Sequence, residues 1–256
     1  MISMSSKLFF ANKKFWTEGA GSFAVAILIA LTIRWAFMEA YVIPSSSMLP
    51  TLLVHDHIFV NKFVYGLRIP FTEKWMLNFS DPKRGDVIVF KYPDDMNLFF
   101  IKRVVGVPGD KIYYENGNLY INDELVKNEI PQKHLSDFSW IKSEDFQGEG
   151  PGALSFFDHF EEKIGDQSFS VLLRKGKTSY YGPQIVPPNS YFVMGDNRDN
   201  SKDSRFWETT AFVPRDYLVG RAMFVWLSCD ETLPVLSFLC NPLTLRWKRF
   251  FHTVHE

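Results

Sequence analysis

At 256 residues the chain can hold one substantial hydrophobic core and a subdomain. Its 28 Lys+Arg balance 29 Asp+Glu, so it lacks the basic excess that a nucleic-acid binder needs to neutralise phosphates. Aromatics make up 16% of the residues, enough to stock a deep core or a surface that dips into lipid headgroups, while two cysteines are too few for a disulfide scaffold and lack metal-ligand spacing.

Residues 1–18 read as a cytoplasmic tail carrying Lys7, Lys13 and Lys14. Residues 19–43 read as a transmembrane anchor: Gly19 to Ile33 is apolar throughout, and after Arg34 the run continues to Ile43. That length suffices for a helix of roughly 20 residues across a bilayer. Arg34 and Glu39 lie in its last third, where long side chains can snorkel, although their five-residue spacing is not ideal for a direct pair. No Ala-x-Ala follows the apolar stretch, which argues against a cleaved signal, and the missing caps and amphipathic stripe argue against a buried helix of a soluble protein. The basic tail places everything after about Ile43 outside the cytoplasm.

Beyond Pro44 the pattern is β. Short runs recur at Ile58–Val60, Val87–Phe90, Phe99–Val105, Lys111–Tyr114, Asn118–Ile121, Tyr191–Met194 and Leu218–Trp226, punctuated by Gly, Pro, Asn and Asp. Asn116-Gly117 between two alternating runs is a hairpin signal. The expected fold is mostly β: an antiparallel catalytic core over 44–122 and 183–232, a less regular insert over 123–182, and a C-terminal tail over 233–256 that packs on the core or lies along the surface. Pairing of Cys229 with Cys240 stays open.

Three segments carry chemistry: Ile43-Pro-Ser-Ser-Ser-Met-Leu-Pro-Thr-Leu52, Phe100-Ile-Lys-Arg-Val-Val-Gly-Val-Pro-Gly-Asp110, and Met194-Gly-Asp-Asn-Arg-Asp-Asn-Ser-Lys-Asp-Ser-Arg205. A serine hydroxyl needs a neighbouring base, and lysine can be that base only where burial keeps its amine neutral. Lys102, flanked by Phe99, Phe100, Ile101, Val104 and Val105, sits in such a strand. Each signal alone has a bland reading: an edge lysine, a Ser-rich turn, an Asx-stabilised loop. The third segment fails as a calcium loop, because Arg198 occupies a ligand position.

Together, and in this order, the segments resemble the type I signal peptidases, or leader peptidases. That family has a Pro-Ser-x-Ser-Met-x-Pro-Thr box after its membrane helix, then a Lys-Arg strand ending Val-Gly-x-Pro-Gly-Asp, then a Gly-Asp-Asn-x-x-x-Ser-x-Asp-Ser-Arg loop; Lys83–Phe90 stands where it has a similar strand. The resemblance covers roughly residues 25–121 and 186–228. It implies Ser47 as nucleophile and Lys102 as general base of a serine endopeptidase, with Ser201 bonded to the amine. It also implies an oxyanion hole from the Ser45 hydroxyl and the Ser47 N–H, an Asp203–Arg205 supporting ion pair, and pockets for small side chains lined by Ile43, Met48, Leu52 and Ile101. No cofactor or metal is implied. The implied partners are the signal peptides of exported preproteins cut after Ala-x-Ala, membrane lipid and a nearby secretion translocon, at the bacterial cytoplasmic membrane with the catalytic part facing the periplasm or cell exterior. Two departures are the single anchor helix, where some relatives have two, and Ser46, where many have glycine.

Ser47 follows Ile43 by four residues, within about 14 Å along the chain, which suits cleavage just outside a bilayer. Phe71, Trp75, Met76, Leu77 and Phe79 are candidates for a lipid-dipping loop or for core packing. Other readings fare worse. Self-cleaving repressors share the Ser/Lys logic but carry a DNA-binding domain that nothing here supplies. No Gly-x-Ser-x-Gly elbow supports a Ser-His-Asp hydrolase, and His55 and His57 lack a third metal ligand. A catalytically dead, membrane-tethered β module is opposed only by Ser47, Lys102 and Ser201 themselves.

Overall fold

The computed structural model describes residues 20–69, 72, 74–131, 140–146, 150, 152–234, 236 and 238–255, so the 1–18 tail, Gly19, Phe71 and His134 lie outside the described residues. One helix, α1 (Ala20–Ala36), leads into strands β1 (Met38–Val42), β2 (Asp56–Asn61), β3 (Gly66–Arg68), β4 (Trp75–Asn78), β5 (Val87–Tyr92), β6 (Asp95–Gly106), β7 (Lys111–Glu115), β8 (Asn118–Ile121), β9 (Glu124–Val126) and β10 (Asn128–Glu129). There follow β11 (Phe157–Ile164), β12 (Gln167–Arg174), β13 (Tyr180–Ile185), β14 (Ser190–Met194), β15 (Val213–Pro214), β16 (Leu218–Ser228) and β17 (His252–Thr253). The main antiparallel sheet runs β1-β2-β16-β5-β6-β14-β15, with β17 on β16; smaller sheets are β13-β7-β8-β9, β10-β11-β12 and β3-β4. This is the expected mostly β architecture.

The Asn116-Gly117 hairpin forms as read: both residues take positive φ (48° and 86°) and join Glu115 to Asn118. The apolar run after residue 36 departs from expectation. The last helical bond is from Phe37 N to Ile33 O, and Met38–Val42 then pairs with β2, from Met38 opposite Asn61 to Val42 opposite His57. Tyr41, Val42 and Ile43 suit a strand, and Pro44 disfavours helical geometry at Ile43. Within the expected anchor, Ala20–Ala36 is therefore helix and Met38–Val42 strand, and the sheet begins at residue 38 rather than 44. No helix among the described residues is long and apolar enough to cross a membrane. The turn between α1 and β1 also creates the ion pair that helical spacing disfavoured, Arg34 Nη2 to Glu39 Oε1 at 3.1 Å. With Arg34 72% exposed, that pair contributes little.

The insert is more regular than its polar sequence suggested. β11 and β12 form an eight-pair hairpin, Phe157–Arg174 through Ile164–Gln167, closed by Gly165-Asp166. Ile164, Phe169 and Val171 pack with Val105, Phe192 and Met194 of the main sheet, so hairpin and catalytic half share a core. β13 pairs with β7 and straddles the expected boundary at 182/183. Of the candidate lipid-dipping residues, Met76, Leu77 and Phe79 are exposed.

The tail packs on the core. β17 pairs with β16, Cys229 and Cys240 form a disulfide, and Arg246 and Arg249 are buried. Arg249 donates to both oxygens of buried Asp56 (Nε to Oδ1 3.3 Å, Nη2 to Oδ2 2.7 Å) and to Thr51 O at 3.1 Å. Asp56 also accepts from Leu53 N and Ser228 Oγ. Removing one partner of a buried pair strands the other charge, so Arg249→Met is expected to lower the unfolding free energy by roughly 3 kcal/mol. An unchanged urea midpoint would show that Asp56 does not depend on it.

Candidate active site

The segment between β1 and β2 is a tight serine turn. Ile43 N bonds Asp56 O, Ser45 is extended, and Ser46–Met48 makes one 3-10 turn closed by Leu49 N to Ser46 O. Met48, Leu52 and Ile43 are driven into a buried cluster with Ile58, Val60, Val87, Val89 and Ile101. The four expected pocket residues thus come together in one buried apolar cluster. With its apolar members pinned inward, Ser47 is held almost buried at 8% exposure, its Oγ 3.3 Å from Ser45 Oγ.

Lys102 comes from β6, which runs between β5 and β14, and is opposite Ile88. The outer half of β6 is largely exposed, but every residue from Ile101 to Gly106 is buried. The Lys102 amine, 4% exposed by residue, donates to Ser47 Oγ at 2.6 Å and to Ile101 O at 2.9 Å, and lies 5.3 Å from the Phe100 ring centre. Burial pushes its pKa down to about 8, against the pull of the Asp203 and Asp196 charges.

Those two carboxylates belong to the loop after β14, and each has its own arginine. Asp196 takes a two-pronged bond from Arg103 (Nε to Oδ1 2.8 Å, Nη2 to Oδ2 2.7 Å) and a bond from Thr51 Oγ1 at 2.5 Å. Asp203 takes the same from Arg205 (Nε to Oδ1 2.8 Å, Nη2 to Oδ2 2.8 Å) and accepts Gly195 N at 3.0 Å. Burial alone would raise the Asp203 pKa, but Arg205 and these donors hold it below the usual carboxylate value. The expected Asp203–Arg205 pair is therefore formed, and an equivalent pair, Arg103–Asp196, was not foreseen.

The same loop grips the serine turn. Asn197 donates from its backbone N to Ser47 O (3.2 Å) and from Nδ2 to Ser46 O (3.0 Å), while Asn200 Nδ2 donates to Ser46 Oγ (3.2 Å). Gly195 is required by space: a Cβ there would stand 2.4 Å from Ser47 O and 2.2 Å from Ser201 Oγ. One expected contact is not made. The amine's bonds go to Ser47 and Ile101, and Ser201 Oγ, folded over Gly195, makes no well-formed hydrogen bond, though it favours the ionised Asp203 carboxylate. Asn197, Gly195 and Arg103 all stood inside the quoted motifs, but nothing in the sequence says which would pair with which.

His55 and His57 stay outside this cluster. His55 Nδ1 is 3.2 Å from Asp230 O, and His57 lies edge-on to Trp226 near the two sulfurs that are joined to each other.

Comparison with known proteins gives the family. The family model for signal peptidase, peptidase S26, matches residues 16–227. Signal peptidase I of Pseudomonas fluorescens and that of Pseudomonas aeruginosa are each 40% identical over 236 residues, covering 88% of this chain and 76% of theirs. Signal peptidase I of Rickettsia felis is 37% identical over 227 residues, covering 83% of this chain and 80% of its own. A crystal structure of a signal peptidase I from Enterococcus faecalis aligns with 56% of this chain and 98% of that one at 26% identity, with a TM-score of 0.32, too loose to inform the fold. With four-fifths of its length inside the family pattern and its serine turn closed over a buried lysine, the chain belongs to the signal peptidase family, peptidase S26, and is a serine endopeptidase.

Proposed function

We propose that the enzyme removes signal peptides from exported preproteins with Ser47 as nucleophile and Lys102 as general base. The observation that carries this reading is the 2.6 Å approach of a buried lysine amine to a serine hydroxyl, with burial lowering the amine's pKa to about 8. At neutral pH about one amine in ten is then unprotonated, where an exposed lysine would be charged almost entirely. The neutral amine takes the Ser47 proton as Oγ attacks the scissile carbonyl carbon. The resulting ammonium gives that proton to the leaving amine, and an acyl-enzyme remains. Water, deprotonated by the same amine, then attacks the ester and frees Ser47.

The carbonyl oxygen turns negative during both attacks. The Ser45 hydroxyl and the Ser47 N–H are the donors assigned to it, and losing one donor typically costs about 2.7–4 kcal/mol of barrier. Ser201 is packed against Gly195, the residue whose Cβ would also meet Ser47 O. Asp203–Arg205 holds the loop. The apolar cluster of Ile43, Met48, Leu52 and Ile101 favours small side chains beside the cleaved bond, in keeping with Ala-x-Ala substrates.

The anchor reading rests on α1, whose Phe23, Ile27, Leu28 and Leu31 are more than half exposed, as suits a lipid surrounding. The disulfide suits a catalytic part outside the reducing cytoplasm, facing the periplasm or cell exterior of a bacterial cytoplasmic membrane. Exposed Met76, Leu77 and Phe79 suit contact with lipid close to the translocon. Five strand residues separate the helix from the serine turn, so the site stands further along the chain from α1 than residue 43 implied.

Two experiments test the dyad in liposomes with a preprotein whose leader ends in Ala-x-Ala. Ser47→Ala and Lys102→Arg are both expected to fold and to release no mature chain, because guanidinium keeps its proton. Cleavage by either at the wild-type rate overturns the corresponding role. The wild-type kcat/KM should climb with pH and level off above about 8, since deprotonation of Lys102 creates the active form. A profile flat from about pH 6 to 10 contradicts a lysine base.

A further inference from the structure

We propose that the β11–β12 hairpin is a working part of the active site, and that Glu162 is a positioning residue which, through Arg198, holds the 195–205 loop against the serine turn. Glu162 lies on β11 and Arg198 in the loop, 36 positions later; both side chains are wholly buried. Their bond is two-pronged, Arg198 Nη1 to Glu162 Oε1 and Nη2 to Oε2. An isolated pair of this kind is weak evidence for anything but its own packing. Here it is the centre of a seam. Leu172 N of β12 bonds Asp196 O at 2.9 Å, Arg174 N bonds Asp199 Oδ2 at 2.9 Å, and Lys177 Nζ bonds Asp199 O at 2.6 Å. The guanidinium of Arg103, which holds Asp196, stacks 3.9 Å from the centre of the Phe169 ring on β12. Leu172 itself is buried with Leu49 and Leu53, just beyond the nucleophile.

From the seam a short path leads to the chemistry. Arg198 is one residue from Asn197, which donates twice to the serine turn, and its own carbonyl accepts a bond from Arg205 Nη2, the arginine of Asp203. A loop that shifts therefore moves Ser47 and loosens the enclosure of the amine together. The charges acting on that amine are Asp203 and Asp196 of the loop, offset by Arg205 of the loop and Arg103 of β6. Letting water past them returns the amine toward its ordinary basicity.

This inference rests on the Ser47/Lys102 reading, and its test keeps the two apart. In the double variant Glu162→Met with Arg198→Met, an apolar pair of similar bulk replaces the ion pair and leaves no stranded charge, so the thermal midpoint should stay close to wild type. Against the full chain in liposomes, kcat should fall at least about tenfold, since a misplacement of about 1 Å can cost roughly 100-fold. The pH midpoint of kcat/KM should also move upward, which a purely structural role would not cause. Glu162→Asp, which keeps the charge but shortens the reach, is the second variant and should show the same two changes. Wild-type kcat and midpoint in either folded variant overturn the proposal. Ser47→Ala in the same preparation distinguishes the readings: activity there sinks the nucleophile assignment, whereas silence beside a fully active double variant sinks only the brace.

Discussion

An amine's pKa falls toward neutrality only where water is withheld and nearby negative charge is offset, and both conditions shape the surroundings of Lys102. Its place in the buried half of a central strand supplies the first. The second is harder, because Asp196 and Asp203 both lie close enough to favour the ammonium. Each is bound two-pronged by a buried arginine, so most of its charge is spent within its own pair. Burial is the larger influence on Lys102 and outweighs the pull of both carboxylates.

The serine turn meets the same logic from the other side. Its apolar residues are pinned by the core, but its polar backbone is satisfied by elements far away in the chain. Asn197 and Asn200 cover Ser46 and Ser47, while Arg249 bonds Thr51 O and neutralises Asp56 where the turn re-enters the sheet. Two buried ionic clusters thus flank a hydrophobic one. A hydroxyl held this way loses little entropy on reaching its reactive geometry, which is how fixed positioning lowers a barrier.

Much of this was legible beforehand, for stated physical reasons. Asn116-Gly117 demanded positive φ twice and became a two-residue hairpin. The Phe99–Val105 run read as a strand and is one, and it was the family resemblance that grouped Ser47, Lys102, Asp203 and Arg205. Reading Trp35 to Ile43 as the end of the anchor helix failed because a mainly apolar run satisfies helical and strand periods alike, and pairing with β2 decided it. The β11–β12 hairpin was hidden because its outward positions are charged and its inward ones, such as Ser170 and Glu162, are partly polar. Which arginine meets which carboxylate is a long-range matter that spacing does not encode. Glu162–Arg198, Arg103–Asp196 and Arg249–Asp56 span 36, 93 and 193 positions.

These separations bear on how the protease comes into being. Ser47 and Lys102 leave the ribosome within 55 residues of each other, well ahead of Asp196, Asp203 and Arg249. A nascent chain that carries only Ser47 and Lys102 lacks the segments that bury the proposed dyad, so its lysine keeps an ordinary, solvated basicity. On the proposed mechanism, proteolytic competence therefore arrives only when the later segments fold back over the earlier ones.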